Sequence, residues 1–115
     1  MNVLESDNIT STISYLRQNV YSLPNFKSSL ILNLNKSLNA SNINFIPDQY
    51  GGWIINITMN SSDSNINSFN SSDFYLTKVT SALYNTLIEF GEAREDTSNL
   101  VNVTIVGCNN IVIRI

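Results

Sequence analysis

The sequence contains no histidine, the residue on which most acid-base catalysis near neutral pH depends. A Ser-His or Cys-His nucleophile, a histidine general base and the common zinc sites are therefore excluded. The phosphate-binding patterns GxGxxG and GxxxxGK[ST] are missing as well. We predict a non-catalytic protein without a cofactor, and a small enzyme that uses carboxylates is the third hypothesis, after the two non-catalytic ones given below.

Charged residues are scarce, at 13% of the chain, and the formal net charge is -3. The six basic residues are scattered, whereas phosphate backbones and anionic lipids require clustered cations. No apolar run approaches the roughly 18 to 20 residues of a membrane span. We therefore predict no nucleic-acid partner and no direct membrane insertion of this chain.

A single cysteine, Cys108, excludes a disulfide within the chain. No lysine or arginine stands next to it in sequence to activate its thiol. We interpret Cys108 as an inert turn residue, and pairing between two chains is the alternative.

Asparagine is abundant, with nineteen Asn against three Lys. The codons of the two residues share their first two bases, so an AT-rich genome alone would raise both; the imbalance indicates a neutral, hydrogen-bonding surface.

Glycosylation sequons begin at Asn8, Asn35, Asn39, Asn56, Asn60, Asn70 and Asn102. We expect an extracytoplasmic or cell-surface location for a chain whose leader or anchor has been removed. The start at Met1 favours the cytoplasmic alternative.

Two segments carry helical periodicity, residues 8 to 21 and about 72 to 90. Each places apolar side chains on one helix face, and Gly91 supplies a stop for the second helix. The apolar stripes are Ile9, Ile13, Leu16 and Val20 in the first segment, and Leu76, Val79, Leu83, Leu87 and Phe90 in the second.

Four segments alternate apolar and polar residues as strands do: Ser28 to Leu38, Trp53 to Met59, and two arms of a hairpin from Leu100 to Ile115. Residues 39 to 52 are interpreted as an irregular connection between the first two strands. The order α-β-β-α-β-β predicts one α+β domain over residues 1–115. It is a two-layer sandwich, with a four-stranded antiparallel sheet and two helices on one face.

Two polar clusters have some of the features of a chemical site, but neither is predicted to be one. Asp63, Asn65 and Asn67 match the opening of a calcium loop, but the glycine at position six and the glutamate at position twelve are missing, so no metal site is predicted. Four carboxylates gather around the end of the second helix, and we interpret them as solvated and partly neutralised by Arg94 rather than catalytic. They are Glu89, Glu92, Glu95 and Asp96.

The candidate binding site combines the sheet face turned away from the helices with the loop at Tyr50. The predicted binding residues are Tyr50, Trp53, Asn56, Thr58, Asn102 and Thr104. The alternation also assigns to this face Asn33, Asn35, Ile31, Ile54, Val106 and Val112. Tyr50 and Trp53 supply aromatic rings beside two glycines, although Trp53 is in register with Ile55 and its ring also fits the core.

These patterns predict a domain that binds protein or glycan through the polar sheet face and the Tyr50 loop. A solvated face without a partner is the simplest interpretation of the same residues. The alternative function is a cytoplasmic assembly or adaptor module, in which the mixed polar and apolar face closes a homo-oligomer.

Overall fold

The computed structural model describes residues 9–60, 71–92, 94–107 and 109–115. The predicted α+β class, the four-stranded antiparallel sheet and the order of helices and strand pairs are confirmed, with two successive helices before the first strand pair. Asp63, Asn65 and Asn67, which match only the opening of a calcium loop, and Cys108 lie outside the described residues. The elements are α1 (Ile9–Asn19), α2 (Pro24–Ser37), β1 (Ala40–Pro47), β2 (Trp53–Met59), α3 (Ser71–Glu89), a 3₁₀ helix (Thr97–Leu100), β3 (Asn102–Val106) and β4 (Asn110–Arg114).

The sheet has the strand order β1-β2-β4-β3, and every neighbouring pair is antiparallel. Each half of the sheet is one hairpin, and the two hairpins meet where β2 pairs with β4. In that central pair Ile55 lies opposite Ile113 and Ile57 lies opposite Ile111. Strands β1 and β3 therefore form the two edges of the sheet.

One face of the sheet, here called the inner face, packs against the helices and forms the core. Along β2 and β4 every second side chain is buried, and the buried ones are aliphatic or Met. Burying one such side chain contributes about 1.5 to 3 kcal/mol to folding. The inner-face side chains that belong to the core cluster are Phe45, Ile55, Ile57, Met59, Ile111 and Ile113, and the helices contribute Leu16, Phe26, Leu30, Leu34, Val79, Leu83 and Leu87.

The strand predicted from Ser28 to Leu38 is wrong, because this segment lies in helix α2. Leu30, Leu32 and Leu34 alternate as in a strand, but Phe26, Leu30 and Leu34 are spaced by four as on one face of a helix. The second set is the one that is buried. Pro24 at the start of α2 favours the helix, since its fixed φ suits the first turn. Leu32 is left 63% exposed as a consequence.

The first strand instead occupies residues 40 to 47, which were predicted to be a connection. This stretch contains three asparagine and serine residues among its first five positions, and these residue types are rare in strands. Pairing with β2 and burial of Phe45 on the inner face overcome that preference. None of the helices in the described ranges is long and apolar enough to cross a membrane.

The β1–β2 turn is held close to the end of β4 at Gly52. A Cβ atom on Gly52 would collide with the Ile115 carbonyl oxygen and would lie 2.9 Å from Arg17 Nε. Gly52 also has a φ of +77°, a conformation that side chains with a Cβ rarely adopt. Only glycine therefore allows β4 and α1 to approach this turn.

We predict that Gly52→Ala lowers the free energy of unfolding by roughly 2 to 4 kcal/mol, which adds the cost of the left-handed backbone to that of overpacking. Gly91→Ala is the matched control, because Gly91 has a φ of +74° but, beyond its chain neighbours, no atom of the described residues within 4 Å of its Cβ position. Urea unfolding should show a clearly smaller loss for Gly91→Ala. Equal losses in the two variants would contradict the close approach at Gly52.

Candidate functional site

Twelve side chains lie on the sheet face opposite the core, here called the outer face, in three rows that cross the four strands. Residues directly opposite each other on neighbouring strands share a face, so the registers define each row. From β1 to β3 the rows are Asn44, Asn56, Val112 and Thr104; Asn42, Thr58, Asn110 and Val106; and Ile46, Ile54, Arg114 and Asn102.

Four of the predicted binding residues lie on this outer face: Asn56, Thr58, Asn102 and Thr104. Asn56 and Thr58 are half-buried in the central strand β2, whereas Asn102 and Thr104 are exposed on the edge strand β3. Thr104 Oγ1 donates a hydrogen bond to Asn102 Oδ1 at 3.3 Å. The predicted neighbours Ile54, Val106 and Val112 lie on the same face.

The outer face is almost neutral. Seven of its side chains are Asn or Thr, four are Ile or Val, and Arg114 is the one charged residue. Val106 is 46% exposed and Ile46 is 38% exposed, so apolar groups reach solvent at both edges of the sheet. Such a surface combines hydrogen-bonding groups with small apolar contacts, as protein interfaces do.

The predicted outer-face positions of Asn33, Asn35 and Ile31 are wrong, because all three belong to helix α2. Ile31 packs against the core and Asn35 is exposed. Asn33 is buried between α2 and α3, where its Nδ2 donates to Thr86 Oγ1 at 2.8 Å and to Glu89 Oε2 at 3.1 Å. The asparagine therefore joins two helices instead of facing a ligand.

Tyr50 lies away from the outer face, in the turn between β1 and β2. Its side chain is 75% exposed and lines a cavity beside helix α1. The backbone N–H of Tyr50 donates to Asp48 Oδ1 at 3.3 Å, which helps to fix the turn. Tyr50 is therefore available for contact, but on a different surface from Asn56 and Thr104.

Trp53 is half-buried on the side of the sheet that packs against the helices. Its indole Nε1 donates to the Tyr21 carbonyl oxygen at 2.9 Å, and its ring meets the Phe45 ring edge-on with centroids 5.5 Å apart. The Lys27 ammonium lies 5.6 Å from the Trp53 ring centroid. These contacts agree with the interpretation in which the Trp53 ring packs against the core.

The carboxylates near the end of α3 have separate partners. Glu92 accepts a hydrogen bond from Tyr15 Oη at 3.0 Å, which raises the pKa of Tyr15 above its ordinary value. Asp96 pairs with Arg94 Nε at 2.8 Å, and these hydrogen bonds hold the pKa of Asp96 below its ordinary value. The predicted role of Arg94 as a partial neutraliser agrees with this pair. Within the described ranges, no three His, Cys, Asp or Glu side chains gather as metal ligands would.

Sequence reasoning missed two parts of the candidate surfaces. Strand β1 brings Asn42, Asn44 and Ile46 to the outer face, and these positions carried no clear strand signal. Arg17 lies beside the Tyr50 turn although the two are distant in sequence. No local pattern could reveal that approach, because it depends on how α1 packs against the sheet.

Comparisons with protein-family models, with curated proteins and with solved structures find no match to this chain.

We predict that Ser29→Ala raises the pKa of Glu89 toward its ordinary value of 4.5. The pKa of Glu89 is lowered chiefly by the hydrogen bond from Ser29 and then by the one from Asn33. The stabilisation from this carboxylate is present above the ordinary pKa and is lost as the pH falls through the lowered value. Titration of the Glu89 carboxyl carbon by NMR measures the change.

Ser28→Ala is the control for this titration. Ser28 is the neighbouring residue, but its hydroxyl donates to the Asn25 carbonyl oxygen instead of to Glu89. This variant should leave the titration of Glu89 unchanged. The assignment fails if Glu89 titrates at its ordinary value in the parent protein.

Proposed function

We propose that this protein is a non-catalytic interaction domain that binds another protein reversibly through the outer face of its sheet. The observation that carries the proposal is the three-row arrangement, which gathers Asn56, Thr58, Asn102 and Thr104 with Ile and Val side chains on one face. The lack of histidine in the sequence and the separate partners of Glu92 and Asp96 support a non-catalytic role.

The composition of the outer face defines the chemistry of the partner. Amide and hydroxyl groups favour hydrogen bonds to a neutral surface, and Ile46, Ile54, Val106 and Val112 favour small apolar contacts. Arg114 adds one positive charge, and no Asp or Glu lies in the three rows. We therefore expect a flat, largely neutral partner with a carboxylate placed to pair with Arg114.

The size of the outer face determines the strength of binding. Four strands at about 4.8 Å spacing and about five residues at 3.4 Å cover roughly 300 Å² in projection. Stable complexes bury about 800 Å² on each partner. A partner that contacts only this face should therefore bind weakly and dissociate quickly.

The proposed location is the cell surface or another extracytoplasmic compartment. The support is the abundance of asparagine and the seven sequons, of which Asn56 and Asn102 lie on the outer face. A glycan at either residue would occupy the proposed interface. Asn35, which is exposed on α2, is a sequon residue where a glycan would leave the outer face free.

We predict that Thr104→Glu abolishes binding of the partner, because it places a negative charge at an exposed position of the neutral outer face. Leu32→Glu is the control, since Leu32 is 63% exposed on helix α2, which packs on the other side of the sheet. The measurement is quantitative mass spectrometry of cell-surface proteins that are chemically cross-linked to the parent and to each variant before capture, because a weak complex would dissociate otherwise.

The expected result is a protein that the parent and Leu32→Glu enrich and Thr104→Glu does not. If no captured protein distinguishes Thr104→Glu from Leu32→Glu, the outer face is not the binding surface.

A second candidate function, assembly with further copies of the same chain, is favoured by the edge of β1, which no other strand of the described residues covers. Trp53 and Ile115 exchange two backbone hydrogen bonds, so the odd-numbered residues of β2 bond to β4 and the even-numbered ones bond to β1. Ile43 and Phe45 consequently direct their backbone N–H and C=O groups away from the sheet.

Strand β1 has little of the usual protection of an edge, and its one register irregularity lies at its start, between Ala40 and Asn42. It spans eight residues without a charge, and its proline, Pro47, is at the end. Two copies related by a two-fold axis at Asn44 could pair antiparallel, with Ile43 opposite Phe45 of the second copy. The result would be one continuous sheet of eight strands.

For this second candidate we predict a concentration-dependent dimer that Asn44→Lys dissociates, because two lysines would meet at the two-fold axis. Thr104→Lys adds the same charge to the other edge strand of the outer face and should leave a β1 dimer intact. Sedimentation velocity of the parent and both variants measures this. A parent that stays monomeric at high concentration, or a dimer that Asn44→Lys preserves, contradicts assembly through β1.

A further inference from the structure

A cavity of about 420 Å³ lies between helix α1 and the β1–β2 turn. Its volume is within the range of small-molecule binding sites, about 300 to 1,000 Å³. The lining residues are Thr10, Ile13, Ser14, Arg17, Gln18, Tyr50 and Gly51. This cavity is separate from the outer face of the sheet, which contributes none of the lining residues.

Arg17 supplies the charge in the cavity. Its aliphatic stem lies along the turn, with Cβ 3.4 Å from the Cβ position of Gly51. Its Nε is buried and has no hydrogen-bond partner within the described part of the chain. No described carboxylate forms an ion pair with Arg17. An arginine side chain carries hydrogen-bond donors and no acceptor, so the buried Nε needs an acceptor that the described residues do not provide.

A second buried polar atom near Arg17 also lacks a hydrogen-bond partner among the described residues. The Tyr21 hydroxyl, one helical turn further along the chain, is buried and has no described hydrogen-bond partner. Burial raises the pKa of Tyr21 far above its ordinary value, and the positive charge of Arg17 opposes this rise. Tyr21 therefore remains a neutral donor, and its hydroxyl is a second buried donor without a described partner in the surroundings of Arg17.

The other lining groups are neutral and polar, with one aromatic ring. Gln18 Nε2 donates to Ser14 Oγ at 3.3 Å, and Thr10 adds an exposed hydroxyl. The Tyr50 ring is 75% exposed at the cavity. Hydroxyl and amide groups bond the hydroxyls of a sugar, an aromatic ring packs against its C–H face, and an arginine fork binds a carboxylate in two places.

We propose that this cavity binds a sugar acid, meaning a monosaccharide unit with a carboxylate. Arg17 pairs with the carboxylate, Thr10, Ser14 and Gln18 bond the ring hydroxyls, and Tyr50 packs against the ring. The site develops the predicted role of the Tyr50 loop in glycan binding. It does not depend on the outer face, so the two proposals can fail separately.

The test is an NMR titration of backbone amides with methyl glucuronide, and methyl glucoside serves as its neutral counterpart. The glucuronide should shift the amides of Thr10, Ser14, Arg17 and Gly51. The neutral glucoside should bind at least about tenfold more weakly, because it lacks the charged acceptor for Arg17. Raising the salt concentration should weaken the binding of the glucuronide and leave the binding of the glucoside unchanged.

Two variants assign the roles in the cavity. Arg17→Met keeps the packing of the stem and removes the unsatisfied donor, so it should fold with an unchanged or raised Tm and lose the preference for the glucuronide. Tyr50→Ala should weaken the binding of both sugars, because the Tyr50 ring packs against either one. Arg114→Gln is the control, because it removes the same charge from the outer face and should leave sugar binding unchanged.

Four results would overturn the proposal. They are equal binding of glucuronide and glucoside, no shift with either sugar, an Arg17→Met variant that binds the glucuronide like the parent, and binding of acetate as tight as that of the glucuronide. A short peptide with a free carboxyl end is the last comparison. If the peptide shifts the same amides at lower concentration than the glucuronide, the cavity binds peptide carboxylates and the sugar assignment is wrong.

Discussion

The burial of one face of a single sheet is the constraint on which the other features of this protein depend. Strand side chains alternate between the two faces, so the same registers that bury Ile55, Ile57, Ile111 and Ile113 also turn Asn56, Thr58 and Val112 outward. A slip of one residue would exchange the two sets and place asparagine in the core. The apolar inner face therefore fixes which side chains are available for binding, and their neutral, amide-rich chemistry follows from the sequence.

The β1–β2 turn connects this sheet to the cavity beside helix α1. Gly51 and Gly52 let the turn approach helix α1 and the end of β4, and that approach encloses the stem of Arg17. Among the described residues Arg17 Nε is buried without a hydrogen-bond partner, and an unsatisfied buried donor lowers stability. The fold thus presents two chemically different surfaces, a neutral sheet face and a small cavity with one positive charge.

The sequence predicts those elements whose periodicity is undisturbed. Helices α1 and α3 and strands β2, β3 and β4 follow from their apolar spacing, and so does the common face of Asn56, Thr58, Asn102 and Thr104. The region of α2 and β1 is different, because Leu30, Leu32 and Leu34 fit a strand while Phe26, Leu30 and Leu34 fit a helix. Tertiary packing decides between them, and it also turns the asparagine-rich segment 40–47 into an edge strand. The proximity of Arg17 to Tyr50 is likewise a tertiary feature, which no pattern within either segment records.

Solvent accessibility of methyl groups tests the one-sided sheet most directly. In an NMR experiment with a soluble paramagnetic probe, relaxation enhancement falls steeply with distance from the solvent. The described structure predicts strong enhancement for the Val106 and Thr104 methyls, intermediate enhancement for Val112 and Ile54, and almost none for Ile57, Ile111 and Ile113. Equal protection of Val112 and Ile111 would contradict the account, because it would mean that both faces of the sheet are covered.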